Sequence, residues 1–318
     1  MTSDISFSAT SECVLITGAT GFIGTLLVKT LLKNGQRIII LTRHPEKAAL
    51  QFDKSVTCIA NINDLPATQH IDVVINLAGA RILGWRWTTA RKQVLRRSRI
   101  DTTKNVVNWI ARATHKPRLF LSASAIGYYG IQARGDAGLL QEDSAPQAIF
   151  MSQLCQEWEA AAHAATQHGV KVMCMRFGLV LGEEGALPMM LLPIRLGLGG
   201  RLGDGQQWLS WIHVEDLLRA IAHLWQSTGP DAIETYNFTA PHNTTQEVFS
   251  QTAAEILHRP SLFPTPAILM RLLLGEQADL LLEGQRVTPA RLQASGFEFS
   301  YPDLQSALKN LTHTNKMK

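Results

Sequence analysis

The sequence predicts an α/β fold with a doubly wound parallel sheet, followed by a small, mainly helical C-terminal lobe. Short runs of β-branched and aliphatic residues alternate with longer segments of helical period over the first two-thirds of the chain. The strand-like runs are largely apolar, which is typical of parallel strands covered by helices on both faces. Such an alternation builds a parallel sheet with right-handed crossover connections.

The predicted elements begin with a strand at Cys13–Thr17 (CVLIT) and a helix at Phe22–Asn34, whose apolar residues fall on one face. Gly35 follows this helix at the position where a C-terminal cap favours glycine. The further predicted strands are Arg37–Leu41, Val56–Ala60, Ile71–Leu77, Leu119–Ser122 and Val170–Phe177. Two longer helices are predicted at roughly Thr89–His115 and Phe150–His168.

The regular alternation ends near Gly178. Glycine is frequent after this residue, which indicates loops and turns. One more amphipathic helix is predicted at Val214–Gln226, and helical segments with proline near their starts follow Leu262. We therefore divide the chain into a core at 1–178, segments at 179–260 that return to this core, and a small helical domain at 261–312.

Composition narrows the functional classes. The chain has 318 residues, of which 46% are hydrophobic and 18% are charged, as in an ordinary globular protein. It has no uninterrupted apolar stretch approaching ~20 residues and no signal-peptide pattern, so we expect a cytoplasmic protein without membrane partners. Its four cysteines and ten histidines show no metal-binding spacing, so no metal site is predicted. The net charge of +4 does not by itself indicate nucleic acid.

The turn between the first strand and the first helix reads TGATGFIG, with glycines spaced G-x-x-G-x-x-G. Gly18 permits a tight turn, Gly21 lets the backbone approach a pyrophosphate, and Gly24 lets the helix pack closely on the strand. The free N–H groups and dipole of the helix N-terminus favour the phosphate charge. The turn therefore predicts a Rossmann-type dinucleotide site. Its expected contacts are Gly18, Thr20, Gly21, Phe22, Ile23 and Gly24.

The end of the second strand distinguishes the two nicotinamide dinucleotides. An acidic residue there binds the ribose 2′-hydroxyl of NAD, whereas a basic residue accommodates the 2′-phosphate of NADP. The chain has Arg43 and no acid at this point, which favours NADP over NAD; the alternative is that Arg43 is only a solvated loop charge. Small residues after the fourth strand predict further cofactor contacts at Leu77, Ala78 and Gly79.

The segments TGATGFIG, NLAGA, SASAIGYYG and RFGLVLG occur in an order that resembles the extended, or atypical, short-chain dehydrogenase/reductase superfamily. The stretches GWRWTTARKQVLRRSRIDTTKNVV, WLSWIHVEDLLRAI and PTPAILMRLLLGEQADLLLEGQRVTPARLQASGFEF are similar to its NAD(P)-dependent epimerase-like family with a C-terminal helical domain. The resemblance implies an NADP-dependent oxidoreductase or epimerase that acts on a small polar substrate, with nucleotide sugars among the candidates. It also implies a homodimer formed through two long helices.

One departure from the superfamily concerns its catalytic tyrosine and the lysine four residues later, which lower the barrier to proton exchange. If Glu159 matches the superfamily's glutamate, this pair falls on Met151 and Cys155; a shift by one residue gives Phe150 and Leu154. None of these side chains replaces the pair. The alternative function is therefore a non-catalytic NADP(H)-binding redox sensor or regulatory partner.

Residues that carry hydroxyl groups are the candidates for catalysis in place of this pair. The resemblance implies that Ser124, after the fifth strand, lies near the nicotinamide, where it could hydrogen-bond a substrate oxygen. Tyr128 lies in the same loop and could supply a phenol acid or base, as could Tyr129. Alternatively, the serine satisfies backbone groups at the strand end and one tyrosine packs inward.

Arginines supply candidate contacts to an anionic small-molecule substrate. Residues 81–99 carry seven basic side chains and no acid, and arginine matches phosphate oxygens well. The family pattern selects Arg86 and Arg99 from this stretch. It also places Arg176 and Arg201 where relatives contact the distal half of a nucleotide sugar. The alternative is a solvated basic face, and nucleic-acid binding is a third, less favoured hypothesis.

Overall fold

The computed structural model describes residues 5–84, 86–227 and 233–313. The strands are β1 Cys13–Thr17, β2 Arg37–Leu41, β3 Thr57–Ile59, β4 Val73–Asn76, β5 Leu119–Ala125, β6 Lys171–Phe177, β7 Leu179–Leu181, β8 Trp208–Leu209, β9 Trp211–His213, β10 Ile233–Phe238 and β11 Thr244–Thr245. The α-helices are α1 Phe22–Lys33, α2 Pro45–Gln51, α3 Thr89–Arg112, α4 Phe150–His163, α5 Leu187–Arg195, α6 Val214–Trp225, α7 Gln246–Leu257, α8 Ala267–Leu274, α9 Asp279–Leu282, α10 Ala290–Ala294 and α11 Leu304–His313. Short 3₁₀ helices lie at Ile62–Asp64, Ile126–Tyr129, Ala164–His168 and Gly275–Ala278.

The main sheet confirms the predicted doubly wound α/β fold. Its seven strands are parallel and lie in the order β10-β6-β5-β4-β1-β2-β3. The chain moves outward from β1 to β3 and then returns to the other side of β1 to form β4. Ligands of doubly wound sheets bind outside the carboxyl ends of the strands at such a reversal. The topology thus places the predicted glycine turn at the expected binding edge.

Both faces of the sheet are covered, as the continuous apolar strands predict. Val14 and Ile16 of β1 share one core cluster with Leu27 of α1 and Ile221 of α6. Leu15, between them in the sequence, belongs to the cluster on the opposite face, which α3 and α4 cover. Because successive side chains of a strand point to opposite faces, an apolar run is buried throughout only in a three-layer arrangement.

The seventh strand of the sheet, β10, is not predicted from the sequence. Its residues, IETYNF, mix polar and apolar side chains instead of forming a continuous apolar run. The polar positions are satisfied by other parts of the chain: the Asn237 N–H donates to Glu142 at 3.0 Å, and Asn237 Nδ2 donates to the Thr288 carbonyl at 3.0 Å. β10 is an edge strand whose pattern reflects contacts with the loops and the C-terminal region.

The C-terminal region is helical, as predicted, and part of it packs on the main body. Helix α8 belongs to a small apolar cluster of its own around Met270 and Leu282. By contrast, Leu292 of α10 belongs to the core beside the sheet, and Leu308 of α11 packs with Phe249 of α7. The domain boundaries at 178 and 260 stay predictions.

Across 5–84, 86–227 and 233–313, no helix combines the length and apolarity needed to cross a membrane.

His213 fixes the junction of β9, α6 and α11. Its Nδ1 accepts the Glu215 N–H at 3.1 Å and so caps α6, while Nε2 lies 3.2 Å from Asn310 Oδ1. The ring stacks on Tyr301 with 3.8 Å between centroids. Only 2% of the residue is exposed, and this burial lowers the pKa of His213 to about 4. The folded protein therefore holds a neutral imidazole here at neutral pH.

We expect the free energy of unfolding to fall as the pH drops below 6.5. The unfolded chain binds a proton at its ordinary pKa of about 6.5, whereas the folded chain resists protonation until the lowered pKa of about 4. The contribution of His213 is complete above the higher value and is lost at about 1.4 kcal/mol per pH unit between the two. In urea unfolding across this range, His213→Asn, which can still cap α6, should have a shallower pH slope. Equal slopes for the two proteins would contradict this role.

Candidate functional site

A cleft of ≈ 320 Å³ lies at the carboxyl ends of β1, β4 and β5, where the strand order reverses. One wall is the glycine turn at the start of α1. The opposite wall is formed by α4. The lining residues are Gly18, Gly21, Phe22, Ile23, Gly24, Leu77, Gly79, Ile82, Arg99, Ala123, Ser124, Ala125, Met151, Leu154, Cys155, Trp158, Phe177 and Gly178.

The three glycines of the turn meet different surroundings. Gly18 has φ +71°, and a Cβ there would lie 2.6 Å from the Leu77 carbonyl carbon. A Cβ on Gly24 would lie 2.3 Å from the Gly18 oxygen, so backbone packing requires both glycines. Gly21 is open: its nearest contact to a Cβ would be the Gly18 oxygen at 3.4 Å. The turn therefore leaves free space where the pyrophosphate is expected.

The N-terminus of α1 has the properties of an anion site. Gly21 is its N-cap residue, no side chain caps it, and no acidic residue occupies the first turn. The first N–H groups of a helix have no partner inside the helix, and together with the helix dipole they attract negative charge. These residues fit the diphosphate of a dinucleotide, because phosphate oxygens supply the acceptors that this end of α1 lacks.

A polar network fixes the neighbouring strand ends. Thr17 Oγ1 donates to Asn76 Oδ1 at 2.6 Å and accepts the Ala78 N–H at 3.2 Å. Asn76 Nδ2 in turn donates to Thr103 on α3 at 2.8 Å. The network holds the segment after β4 against the glycine turn, and Leu77 and Gly79 of that segment line the cleft.

The remaining predicted cofactor residues lie near the glycine turn but do not line the cleft. Thr20 is exposed in the turn, and Ala78 lies between two lining residues without lining the cleft itself. Arg43 is exposed two residues beyond Leu41, whose strand partner is Thr17 at the start of the turn. Arg43 makes no hydrogen bond or ion pair with any residue that the structure describes.

Ser124 belongs to a buried chain of polar groups behind the cleft. Its hydroxyl donates to Glu159 Oε1 at 2.7 Å. Glu159 forms a two-armed pair with Arg176, with Nε–Oε1 and Nη2–Oε2 distances of 2.8 Å. Arg176 Nη1 also donates to the Tyr129 hydroxyl at 2.9 Å and to the Glu142 carbonyl at 3.0 Å. Because a carboxylate can only accept, the Ser124 oxygen remains available to the cleft as an acceptor.

Arg176 is therefore not placed to contact a substrate, which corrects the expectation from the sequence. Only 3% of it is exposed, and its guanidinium is occupied by protein groups, including the Glu159 carboxylate. The guanidinium also lies 3.4 Å from the centre of the Tyr128 ring. The Glu159 carboxylate is the counter-ion of this buried guanidinium, so Arg176 anchors Glu159.

The two tyrosines differ in position. Tyr128 is half-buried beneath Arg176 and is not among the lining residues of the cleft. Tyr129 is buried, and its hydroxyl donates to Asn237 Oδ1 at 2.7 Å; burial raises the pKa of Tyr129 to about 12. The structure thus brings Ser124, but neither tyrosine, to the wall of the cleft.

Met151 and Cys155, which occupy the positions predicted for the missing catalytic pair, both line the cleft. Leu154 and Trp158 continue the same face of α4. Burial raises the pKa of the Cys155 thiol to about 12, so it is neutral at physiological pH. The wall that carries tyrosine and lysine in the superfamily is therefore apolar here.

The three other arginines predicted to bind substrate lie in different places. Arg99 is buried and lines the cleft. Arg86 is exposed and lies beside Gly275 of the C-terminal lobe. A Cβ on this glycine would lie 3.1 Å from Arg86 Nε. Arg201 is exposed, and its Nη1 lies 3.8 Å from Glu247 Oε1. Of this set, only Arg99 is brought together with Ser124.

Six lining residues were not predicted as site residues: Ile82, Ala123, Ala125, Trp158, Phe177 and Gly178. Trp158 shares the helical spacing of Met151 and Cys155 along α4, so the periodicity of this helix was the available signal for it. Phe177 ends β6 beside Ala125, the last residue of β5, and Gly178 follows it. Within the described residues, no group of three or more His, Cys, Asp or Glu side chains could hold a metal ion.

Comparisons with known proteins agree with this geometry. Residues 14–238 match the NAD dependent epimerase/dehydratase family, and residues 265–311 match a domain of unknown function, DUF1731. The chain is 39% identical to epimerase family protein SSP1921 of Staphylococcus saprophyticus, with 94% of this chain and 99% of that protein covered. It is 36% identical to epimerase family protein YfhF of Bacillus subtilis, with 95% and 99% covered.

Two solved structures superpose on this chain over nearly its whole length. The human epimerase family protein SDR39U1, crystallised with NADPH, superposes with a TM-score of 0.83 at 32% identity, covering 95% of this chain and 99% of that one. MoeE5 in complex with UDP-glucose and NAD has a TM-score of 0.73 at 23% identity, covering 96% and 98%, and shares the fold. The chain belongs to the NAD dependent epimerase/dehydratase family and ends in a DUF1731 domain.

Proposed function

We propose that this protein is an NADP(H)-dependent oxidoreductase or epimerase that acts on a small polar substrate. The observation that carries the proposal is a single cleft lined by the glycine turn, by Ser124 and by Arg99. A dinucleotide held at the turn would extend toward the end of β5, where Ser124 lies. The family match supports a nicotinamide cofactor, and the human relative was crystallised with NADPH.

NADP in preference to NAD is proposed from Arg43. This side chain lies beyond the end of β2, beside the strand that leads into the turn, and no described residue neutralises it. Guanidinium groups bind phosphate with two parallel hydrogen bonds, and a 2′-phosphate is the group that distinguishes the two cofactors. The fold also accepts NAD, since MoeE5 was crystallised with it.

The bound nicotinamide would donate or accept a hydride. The residues of the chain would prepare the substrate for this transfer. Ser124 would accept a hydrogen bond from a substrate hydroxyl, because its own proton is held by Glu159. Glu159 would act as an orienting group, since Arg176 keeps it in place from the other side. Met151 and Leu154 would exclude water from the reacting atoms.

A second function is favoured by one observation. Met151 and Cys155 stand in the cleft where the superfamily has its proton-exchanging pair, and general acid–base catalysis of this kind contributes about 10²- to 10⁴-fold to rates. A protein without it could bind NADP(H) and signal the redox state without turnover.

Nucleotide sugars are natural first substrates for a test of the first function, because structural neighbours were crystallised with them.

Transfer of deuterium distinguishes the two functions. We expect NADPH labelled at the nicotinamide C4, in both stereochemical forms, to pass deuterium to a small molecule in an extract of the producing cells. Mass spectrometry identifies the labelled product, and UDP-sugars are tested individually in parallel. A variant that cannot bind cofactor serves as the control. Tight NADPH binding without deuterium transfer to any molecule, together with no epimerisation of any UDP-sugar by the NADP⁺-loaded protein, would establish the non-catalytic function instead.

Gly21→Val should weaken cofactor binding without unfolding the protein. The valine would fill the space at the start of α1, yet Gly21 has extended dihedral angles that any residue adopts. We expect the affinity for NADP⁺ in calorimetry to fall by at least about tenfold, with an unchanged far-UV spectrum and thermal midpoint. Gly24→Val is the contrasting variant, because its side chain would meet backbone and prevent folding. Unchanged affinity in folded Gly21→Val protein would exclude the turn as the cofactor site.

Arg43→Gln should weaken NADP⁺ and spare NAD⁺. Loss of a charge-assisted contact to phosphate typically costs about tenfold or more in affinity, and NAD⁺ has no phosphate at this position. Arg37→Gln, at the opposite end of the same strand, is the matched control and should change neither affinity. Equal weakening of both cofactors by Arg43→Gln would show that this arginine does not select between them.

A further inference from the structure

Helix α8 is apolar on two faces, and the described part of the chain covers only one of them. Ala267, Met270 and Leu274 lie on the covered face and belong to the small cluster around Leu282. The opposite face carries large apolar side chains that are 49–76% exposed, at Ile268, Leu269, Leu272 and Leu273. Surface helices of globular proteins carry polar residues on the side away from the core, and a helix that is apolar all round is buried. The exposed face of α8 is therefore a candidate contact surface.

Helix α5 extends this apolar surface. The inner side of α5 is buried, at Leu187, Leu191 and Ile194. On its outer side, exposed apolar residues follow one another at helical spacing, at Met189, Leu192 and Leu196. Leu198, just beyond the end of the helix, is exposed as well. Both helices thus bury one apolar side and expose another.

Backbone hydrogen bonds join the segments that carry these residues. The chain after α5 runs beside the chain before α8, because the Phe263 N–H donates to the Gly199 carbonyl at 3.0 Å and the Thr265 N–H donates to the Arg201 carbonyl at 2.9 Å. Leu262 and Phe263 are exposed at this junction. We call the ten exposed large apolar side chains of 189–198 and 262–273 the α5–α8 face.

The extent of the α5–α8 face matches the apolar area that a stable dimer needs. Its ten side chains expose roughly 400–800 Å² of apolar surface. The largest apolar patch of a typical monomeric protein measures about 300–600 Å² and often has a function. A standard interface buries about 800 Å² on each partner, and about 65% of a homodimer interface is apolar, so roughly 500 Å² of apolar surface is required. One protomer supplies this area.

The charges around the face favour a protein partner over an anionic membrane. Residues 183–204 and 255–283 carry four arginines, seven acidic residues and no lysine. Helices that lie in membrane surfaces are instead rich in lysine and arginine, which anionic lipids attract. Four exposed side chains of these stretches, two of each sign, form no ion pair with residues in 5–84, 86–227 or 233–313: Arg195, Arg259, Glu184 and Glu255. Because both signs are present, a second copy of the chain can complement them.

We infer that two copies of this chain associate through the α5–α8 face. A two-fold interface joins identical surfaces, so the apolar side of α8 in one protomer would pack on the same side of α8 in its partner. This contact differs from the homodimer that the family resemblance implies, which uses the two long helices. Those helices, α3 and α4, are described in full and carry one exposed large apolar side chain, Val94.

Sedimentation of the full chain over a range of concentrations tests the inference. We expect wild type to reach at least twice the mass of one chain. Leu272→Glu on α8 and Leu192→Glu on α5 each place a charge at an apolar contact, and each should raise the dissociation constant at least about tenfold. Leu50→Glu is the matched control, because Leu50 on α2 is 68% exposed, as is Leu272. It should change the dissociation constant by less than about twofold.

Hydrogen exchange of wild type locates the contact without a substitution. We expect the amides of α5 and α8 to exchange more slowly above the dissociation constant than below it, whereas those of α2 should not change. Folding of the variants is checked by far-UV spectra. Because glutamate is a good helix former and Leu272 is exposed, the spectrum of Leu272→Glu should equal that of wild type.

Three results would overturn the inference. Wild type could stay monomeric at every concentration; if this monomer also cosediments with vesicles of phosphatidylcholine and phosphatidylglycerol, the face binds lipid instead. The dimer could resist both Leu272→Glu and Leu192→Glu but dissociate in Ala160→Arg, a change at an exposed position of α4, and the long helices would then form the contact. Equal weakening by Leu50→Glu and Leu272→Glu would reflect surface charge in general.

Discussion

The arrangement of the cleft depends on one close packing contact, the approach of α1 to the loop that precedes it. A Cβ on Gly24 would lie 2.3 Å from the Gly18 oxygen, and a Cβ on Gly18 would lie 2.6 Å from the Leu77 carbonyl carbon. Because no side chain fits at either point, the start of α1 lies directly against the ends of β1 and β4. The uncapped N–H groups of the helix therefore face the place where the strand order reverses, and the family's cofactor chemistry follows from this contact.

A second constraint, the ion pair of Glu159 and Arg176, shapes the opposite wall. It connects α4 to β6, and through Ser124 it also reaches β5. Because of this ion pair, Arg176, which the family pattern assigns to substrate binding, is part of the scaffold. The Ser124 hydroxyl donates its proton to Glu159, so its oxygen is left as an acceptor. Arg99, across the cleft, lacks such a partner. This difference between two buried arginines separates a structural group from a candidate ligand-binding group.

Much of the fold was predictable, since hydrophobic period and glycine spacing are local signals. The sequence predicted the sheet core, the turn at Gly18–Gly24, and apolar residues at Met151 and Cys155. The structure places the turn and these two side chains at one cleft. β10 was missed, because its polar residues are satisfied by segments distant in the sequence. The role of Arg176 was missed for the same reason: its partner, Glu159, lies on another element, and no local pattern shows that the two meet.

A crystal structure of the protein with NADPH tests the central claim most directly. The account predicts that oxygens of the cofactor diphosphate accept hydrogen bonds from the N–H groups of Phe22 and Ile23 at about 2.7–3.2 Å. The nicotinamide should lie toward Ser124 and the apolar face of α4. A diphosphate bound elsewhere, with the start of α1 left to solvent, would contradict it.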